Sequence, residues 1–230
     1  MLEYENFLII ISAPSGTGKT TLINKILESE ENIQLSVSAT TRDKRNGEVD
    51  GIDYYFLTKE EFESKIKNDE FLEYADVFGN YYGTLMSQIN EKFNNGKDVF
   101  LDIDYQGAEK ISNKIEATKL LKIFLLPPSM NELKHRLISR GWDKIEDIEK
   151  RLEKAKLEMK HSINYDYVVI NDNFEETVNI IRSIINSKRI KNTKGEKLDS
   201  FIENFWKVRG ILLTGPSQNP AQISKSLCDI

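Results

Sequence analysis

Ala13-Pro14-Ser15-Gly16-Thr17-Gly18-Lys19-Thr20 decides the architecture of this chain. The phosphate-loop pattern is a glycine, four residues, then Gly-Lys-Ser/Thr. Ala13 stands where the first glycine would be, and every other position fits. An apolar run, residues 7–12, leads straight in. Leu22, Ile23, Ile26 and Leu27 recur at helical spacing on the way out. Gly16 and Gly18 let backbone amides turn inward around phosphate oxygens. The helix start adds positive potential, and Lys19 supplies a mobile point charge for β- and γ-phosphates. The Thr20 hydroxyl is placed to ligate Mg²⁺. The plainer reading, a Gly/Ser/Thr turn capping a helix, leaves the lysine and the register unexplained.

Outward from this loop, further short apolar runs occur at residues 34–38, 98–103, 120–126 and 167–170. They are near-continuous rather than alternating, as expected of strands buried on both faces, and helical stretches follow most of them. The rhythm predicts an α/β fold: a parallel sheet flanked by helices on both sides. Thr58 with Glu61, Ser129 with Glu132 and Asn173 with Glu176 have the spacing of helix starts. Gly96 and Gly141 sit where helices should stop. Between residues 35 and 84 the rhythm breaks. Short strands at 54–57 and 72–78, with Gly79-Asn80 as a tight turn, indicate an inserted, partly antiparallel segment. The expected organisation is a core of residues 1–34 and 85–190, with a helical lid at about 129–160. To it are added the 35–84 insertion and a C-terminal stretch, 191–230, holding a weak helical pattern and a poorly ordered end.

Composition narrows the function classes. The 230 residues carry 32 Lys+Arg against 37 Asp+Glu, a net charge of −5, so this is not a basic protein built to coat nucleic acid. One cysteine, Cys228, permits no intramolecular disulfide or thiolate cluster, and His135 and His161 are too few for a histidine metal site. No apolar run approaches the roughly 20 residues of a membrane span. The acidic start, Met-Leu-Glu-Tyr-Glu, is unlike a secretory signal, so a soluble cytoplasmic protein is expected.

The insertion carries the second chemical signal. Arg42 and Arg45 lie three apart in Ser38-Ala39-Thr40-Thr41-Arg42-Asp43-Lys44-Arg45. Phe71-Leu72-Glu73-Tyr74 and Gly79-Asn80-Tyr81-Tyr82-Gly83-Thr84 follow. Taken singly these residues have plain readings: an exposed basic loop, hairpin aromatics, an acid on a solvent face. Downstream, Leu101-Asp102-Ile103-Asp104 precedes Gln106-Gly107, and Val169-Ile170-Asn171-Asp172 closes the last strand. Asp102 and Asp104, two apart, share a side if both lie on the strand. Arg136 and Arg140, four apart, share a helix face.

Together these motifs, from about residue 7 to 189, resemble the guanylate kinases, nucleoside monophosphate kinases that transfer the γ-phosphoryl of ATP to GMP. The resemblance implies a phosphate-loop parallel core with an inserted GMP-binding segment. It implies that Ala13, Pro14, Ser15, Gly16, Thr17, Gly18, Lys19, Thr20, Thr21 and Asn171 hold ATP, with Asp172 beside the donor base. Ser38, Arg42, Arg45, Tyr54, Glu73, Tyr82, Thr84 and Asp104 would hold GMP. Lys19, Arg42, Arg136, Arg140 and Arg151 would carry catalysis, and Thr20 and Asp102 would attend the Mg²⁺. The residues suit those tasks. Two arginines and two phenols can fork onto a phosphate dianion, and a carboxylate can accept from guanine N1–H and the 2-amino group together. Two rivals stand beside this reading: a phosphate-loop kinase with another small acceptor, and an inactive guanylate-kinase-like protein-binding module. Lys19, Thr20 and the lid arginines argue against the second. ATP and GMP are the expected partners, with neither nucleic acid nor membrane, and the oligomeric state is left open, a homodimer among the options.

Overall fold

A five-residue strand with every side chain buried, β1 (Leu8–Ser12), lies at the centre of the main sheet. The computed structural model describes residues 4–77, 79–139 and 145–191. In chain order the other elements are α1 (Lys19–Leu27), β2 (Ile33–Leu35), β3 (Ala39–Thr40), β4 (Tyr55–Phe56), α2 (Lys59–Lys67), β5 (Phe71–Val77), β6 (Asn80–Leu85) and α3 (Met86–Asn94). They continue with β7 (Asp98–Asp102), α4 (Tyr105–Ser112), β8 (Leu120–Leu126), α5 (Met130–Ser139), α6 (Ile145–Lys160), β9 (Tyr167–Ile170) and α7 (Phe174–Lys191).

The main sheet has the order β2-β7-β1-β8-β9 and every pairing in it is parallel. Its register places Ile11 beside Asp102 on one side and Ile123 on the other. The carboxyl ends of β1 and β7 therefore lie together, and the loop leaving β1 opens beside the acid ending β7. Ligands bind in this position on parallel sheets. Leu8, Ile10, Val99, Leu101, Ile111 and Leu120 form part of one buried cluster that fixes this register. Each such side chain contributes about 1.5–3 kcal/mol on burial.

Residues 35–84 build a second sheet, β4-β3-β6-β5, parallel between β3 and β4 and antiparallel elsewhere. Phe62 of α2 plugs it, stacked on Phe71 and Tyr81 with centroids 4.2 and 5.2 Å away. The start of α2 is a full capping box. Thr58 Oγ1 accepts from the Glu61 amide and the Glu61 carboxylate accepts from the Thr58 amide. α5 and α6 pack through Leu133, Leu137, Ile148 and Ala155. At the amino end of β7, Asp98 accepts from Arg189 Nε of α7 at 3.0 Å, while Arg189 Nη1 donates to Glu30 at 3.0 Å. This buried ion network staples α7 to the sheet.

Some expectations need correction. The strand expected at 34–38 pairs only as β2 (Ile33–Leu35), and the one expected at 54–57 only as β4, because Thr58 already caps α2. Ser129 accepts from the Glu132 amide, but the Glu132 carboxylate turns forward to Arg136 rather than back, so the box is half made. The run 167–170 is not buried on both faces. β9 is an edge strand, and Tyr167, Val168 and Ile170 are exposed. Gly141, Arg140 and the C-terminal stretch from 192 onward lie outside the described residues.

Candidate active site

The loop between β1 and α1 is shaped by two glycines. Gly16 and Gly18 have φ of 96° and 99°, a region that side chains rarely adopt. A Cβ on Gly16 would come within 2.9 Å of Leu137, and one on Gly18 within 2.9 Å of Asn171 Nδ2. Thr17 is buried and closes the turn, its hydroxyl donating to the Pro14 carbonyl at 2.8 Å. The Thr17 carbonyl accepts from Asn171 Nδ2 at 2.7 Å and from Arg136 Nη1 at 3.3 Å, and Arg136 Nη2 donates to the Asn171 carbonyl at 3.2 Å. Arg136 and Asn171 therefore brace one side of the loop. Beside them opens a cleft of about 470 Å³, lined in part by Thr21, His135, Ser139, Asp172 and Phe174. His135, Ser139 and Phe174 were not among the residues expected from sequence. The first two lie on α5 outside its apolar stripe, and only the fold turns that face toward the loop.

Lys19 reaches across to β7. Its ammonium lies 2.5 Å from Asp102 Oδ1 and donates to the Ile103 carbonyl at 3.4 Å. Ser12 Oγ donates to the same carbonyl at 2.8 Å, which fixes the turn after β7. Thr20 and Thr21 are exposed in the first turn of α1. Thr20 and Asp102 offer a hydroxyl and a carboxylate at the same end of the sheet. Hard oxygen donors of this kind suit a Mg²⁺ held mostly by phosphates and water. Among the described residues no group of three or more His, Cys, Asp or Glu side chains could hold a metal by itself.

The small sheet presents a second set of residues. Arg42 forks onto Glu48, with Nη2–Oε1 at 2.7 Å and Nη1–Oε2 at 3.1 Å. Its guanidinium lies 5.4 Å from the Tyr54 ring centre, and Tyr54 meets Tyr82 edge-on at 6.0 Å. The Glu48 hydrogen bond pushes the Arg42 guanidinium up and the Arg42 guanidinium holds Glu48 below the usual carboxylate range. Burial, then the Tyr82 phenol, pushes the Tyr54 phenol up, and the Asp102 charge adds to the same effect. Arg45 is exposed, and its amide donates to Glu48 Oε2 at 2.8 Å.

Glu73 is only 6% exposed, which is rare for an acid. An irregularity in β5 between Phe71 and Glu73 sets it opposite Thr84, whose hydroxyl donates to Glu73 Oε1 at 2.8 Å. Burial pushes the Glu73 carboxyl up, opposed by the Thr84 hydrogen bond and by the charge of Lys110. Ser38 lies beside β3, its carbonyl accepting from the Tyr55 amide at 2.9 Å. Asp104 caps α4, with Oδ1 accepting from the Gln106 and Gly107 amides at 3.0 Å each. The expectation that Asp104 continues the strand face of Asp102 is thus corrected, since β7 ends at Asp102. Arg151 is half-buried on α6.

A glycine loop opening a helix on a parallel sheet, with an acid at the next strand's end, defines a phosphate-loop nucleotide-binding protein. A family model described as guanylate kinase matches residues 5–188. The chain is 50% identical over 198 residues to a guanylate kinase of Haemophilus influenzae, covering 85% of this chain and 94% of that one. It is 47% identical over 190 residues to a guanylate kinase of Rickettsia felis, covering 83% and 98%. The crystal structure of a guanylate kinase from Anaplasma phagocytophilum superposes with a TM-score of 0.69 at 34% identity, covering 92% of this chain and 98% of that one. The chain belongs to the guanylate kinase family.

Proposed function

We propose that this protein transfers the γ-phosphoryl of ATP to GMP, giving ADP and GDP, with Mg²⁺, as a cytoplasmic enzyme of purine nucleotide metabolism. The observation that carries the acceptor choice is the buried Glu73–Thr84 pair. A carboxylate in that position accepts from guanine N1–H and the 2-amino group, and adenine offers no such donor pair. Arg42, Arg45, Tyr54 and Tyr82 bind the GMP phosphate, with Ser38 and Thr84 at the base and Asp104 on the acceptor side.

On the donor side, residues 13–21 wrap the triphosphate, Asn171 and Asp172 border the adenine, and Arg136, Arg140 and Arg151 neutralise charge as the lid closes. Thr20 directly and Asp102 through water would hold Mg²⁺, which when bound neutralises the β- and γ-phosphates. The acceptor phosphate is already anionic, so no strong general base is required. Catalysis rests on in-line positioning and on charge neutralisation by Lys19 and the arginines. Closure excludes water from the transferring group. Residues 35–84 act as the acceptor-binding segment and about 129–160 as the lid. Among the described residues no helix is long and apolar enough to cross a membrane, and small nucleotides are the proposed partners. A coupled ADP-release assay with ATP, Mg²⁺ and a panel of nucleoside monophosphates tests the assignment. GMP should be turned over far faster than AMP, CMP or UMP, and equal rates would refute it.

A further inference from the structure

Helix α4 and the residues just after it meet the acceptor segment through Gly107, Lys110, Ile111 and Lys114, spaced i, i+3, i+4, i+7, with Lys114 two residues past the helix end. Ile111 is fully buried in the main core. The two lysines reach over β5. Lys110 Nζ donates to the Tyr74 carbonyl and lies 5.5 Å from the Tyr74 ring centre. Lys114 Nζ donates to the Phe71 carbonyl at 3.4 Å. Glu73 sits between those two anchored carbonyls. Gly107 sits below it: a Cβ there would lie 3.3 Å from Glu73 Oε2 and 3.3 Å from Ile103 Cβ. Glu73 is thus bracketed by Thr84 on Oε1, by the bare face of Gly107 near Oε2, and by the charge of Lys110.

Resting on the acceptor reading above, we infer that Gly107 and Lys110 are positioning residues for Glu73, and that α4 thereby sets the preference for guanine over adenine. The geometry supplies the reason. Two adjacent donors on a base need both carboxylate oxygens aligned, each within about 2.7–3.2 Å. A methyl on Gly107 is tighter against Oε2 than an ordinary contact, and Ile103 blocks its retreat. The carboxylate must shift by a few tenths of an ångström, in a pocket where burial already disfavours its charge. Lys110 acts through two routes: it fixes the β5 backbone on the next residue, and its positive charge favours ionised Glu73. Asp104, before α4, acts in the opposite electrostatic direction, and Thr84 of β6 favours the ionised form.

The test compares kcat/KM for GMP and AMP in wild type, Gly107→Ala, Lys110→Met, Lys110→Arg and Glu73→Gln, with melting curves for each. Gly107→Ala should lower kcat/KM for GMP by about three- to tenfold, a fraction of the roughly 10²-fold that a 1 Å misplacement can cost. AMP should change much less, so the ratio narrows. Alanine is the better helix former, so a loss confined to GMP is not a helix effect. Lys110→Met should narrow the ratio and move the acid limb of the GMP pH profile upward, because Glu73 then ionises at higher pH. Lys110→Arg should restore both. Parallel losses for the two substrates, or an unchanged ratio in Gly107→Ala and Lys110→Met, would overturn the inference. If Glu73→Gln narrows the ratio while the α4 variants do not, only this inference falls. If Glu73→Gln leaves the ratio unchanged, the acceptor reading falls and takes the inference with it.

Discussion

The ammonium of Lys19 and the carboxylate of Asp102 meet at 2.5 Å across the carboxyl ends of β1 and β7. On the proposed function, the phosphates of a nucleotide entering the loop compete with Asp102 for that lysine. Both side chains are part-exposed, so the pair is screened and exchangeable rather than a fixed staple. Lys19→Met should lower turnover by on the order of 10² or more, the scale for removing a preorganised charge from a transferring group. GMP affinity measured by calorimetry should survive, because Lys19 lies on the donor side. Wild-type turnover in the variant would remove Lys19 from the mechanism.

Arg45 offers a cleaner test of the proposed phosphate site than Arg42. Its side chain is exposed while its amide is held by Glu48, so truncation leaves the loop anchored. A charge-assisted hydrogen bond contributes about 1.5–3 kcal/mol. Arg45→Ala should therefore weaken GMP roughly tenfold or more and guanosine little. Equal losses for nucleotide and nucleoside would show that Arg45 acts on the fold.

The buried network at the far end of the sheet supplies a scaffold control. Asp98 is 0% exposed and Arg189 8%. Removing the cation takes the guanidinium from buried Asp98, which keeps the Phe7 amide at 3.3 Å, while Glu30 keeps Arg182 at 3.1 Å; breaking such a buried pair costs about 3–5 kcal/mol. At about 2–4 °C per kcal/mol for a domain of this size, Arg189→Met should lower Tm by on the order of 10 °C. KM for ATP and GMP should not move at low temperature, since the network lies at the amino ends of the strands. A changed KM with an unchanged Tm would contradict this placement.

Local chemistry explains what the sequence made legible. The phosphate loop is read from neighbours in the chain, and strand, glycines and helix start appear where the motif puts them. The Thr58–Glu61 box is likewise local. Long-range features were harder. Nothing in Glu48 announces that it will grip Arg42, since a six-residue separation in an irregular loop has no periodicity to read. An apolar run does not say whether its strand is central or at an edge, so the sequence alone leaves the edge position of β9 unreadable. The helix cap at Asp104 is hidden in the sequence because the change from strand to helix cap falls within two residues of Asp102. The cleft face of α5, with His135 and Ser139, carries no motif of its own.

Burial gives Glu73 a pH signature. Its carboxyl is pushed up in the folded protein, so the fold binds its proton more tightly than the unfolded chain does. The resulting contribution to stability is present below the ordinary Glu range and is lost as pH rises through the folded value. As pH rises through the folded value, wild type therefore takes on a buried charge that Glu73→Gln does not. The Tm of Glu73→Gln minus that of wild type should grow as pH is raised from about 4 to 8, which melting curves across that range will read. A constant difference would mean that Glu73 is not desolvated as described.

The most direct measurement of the central claim is kcat/KM for GMP and for AMP in wild type and Glu73→Gln, in one assay with saturating ATP and Mg²⁺. The glutamine retains one acceptor and opposes an amide donor to a guanine donor. Sites built to hydrogen-bond a substrate group discriminate by about 10⁴ or more, because the wrong substrate strands their buried polar atoms. The account predicts a large preference for GMP in wild type and a steep fall in that preference in Glu73→Gln, with the AMP value changed far less. An unchanged GMP/AMP ratio, with any loss shared equally by both substrates, would contradict it.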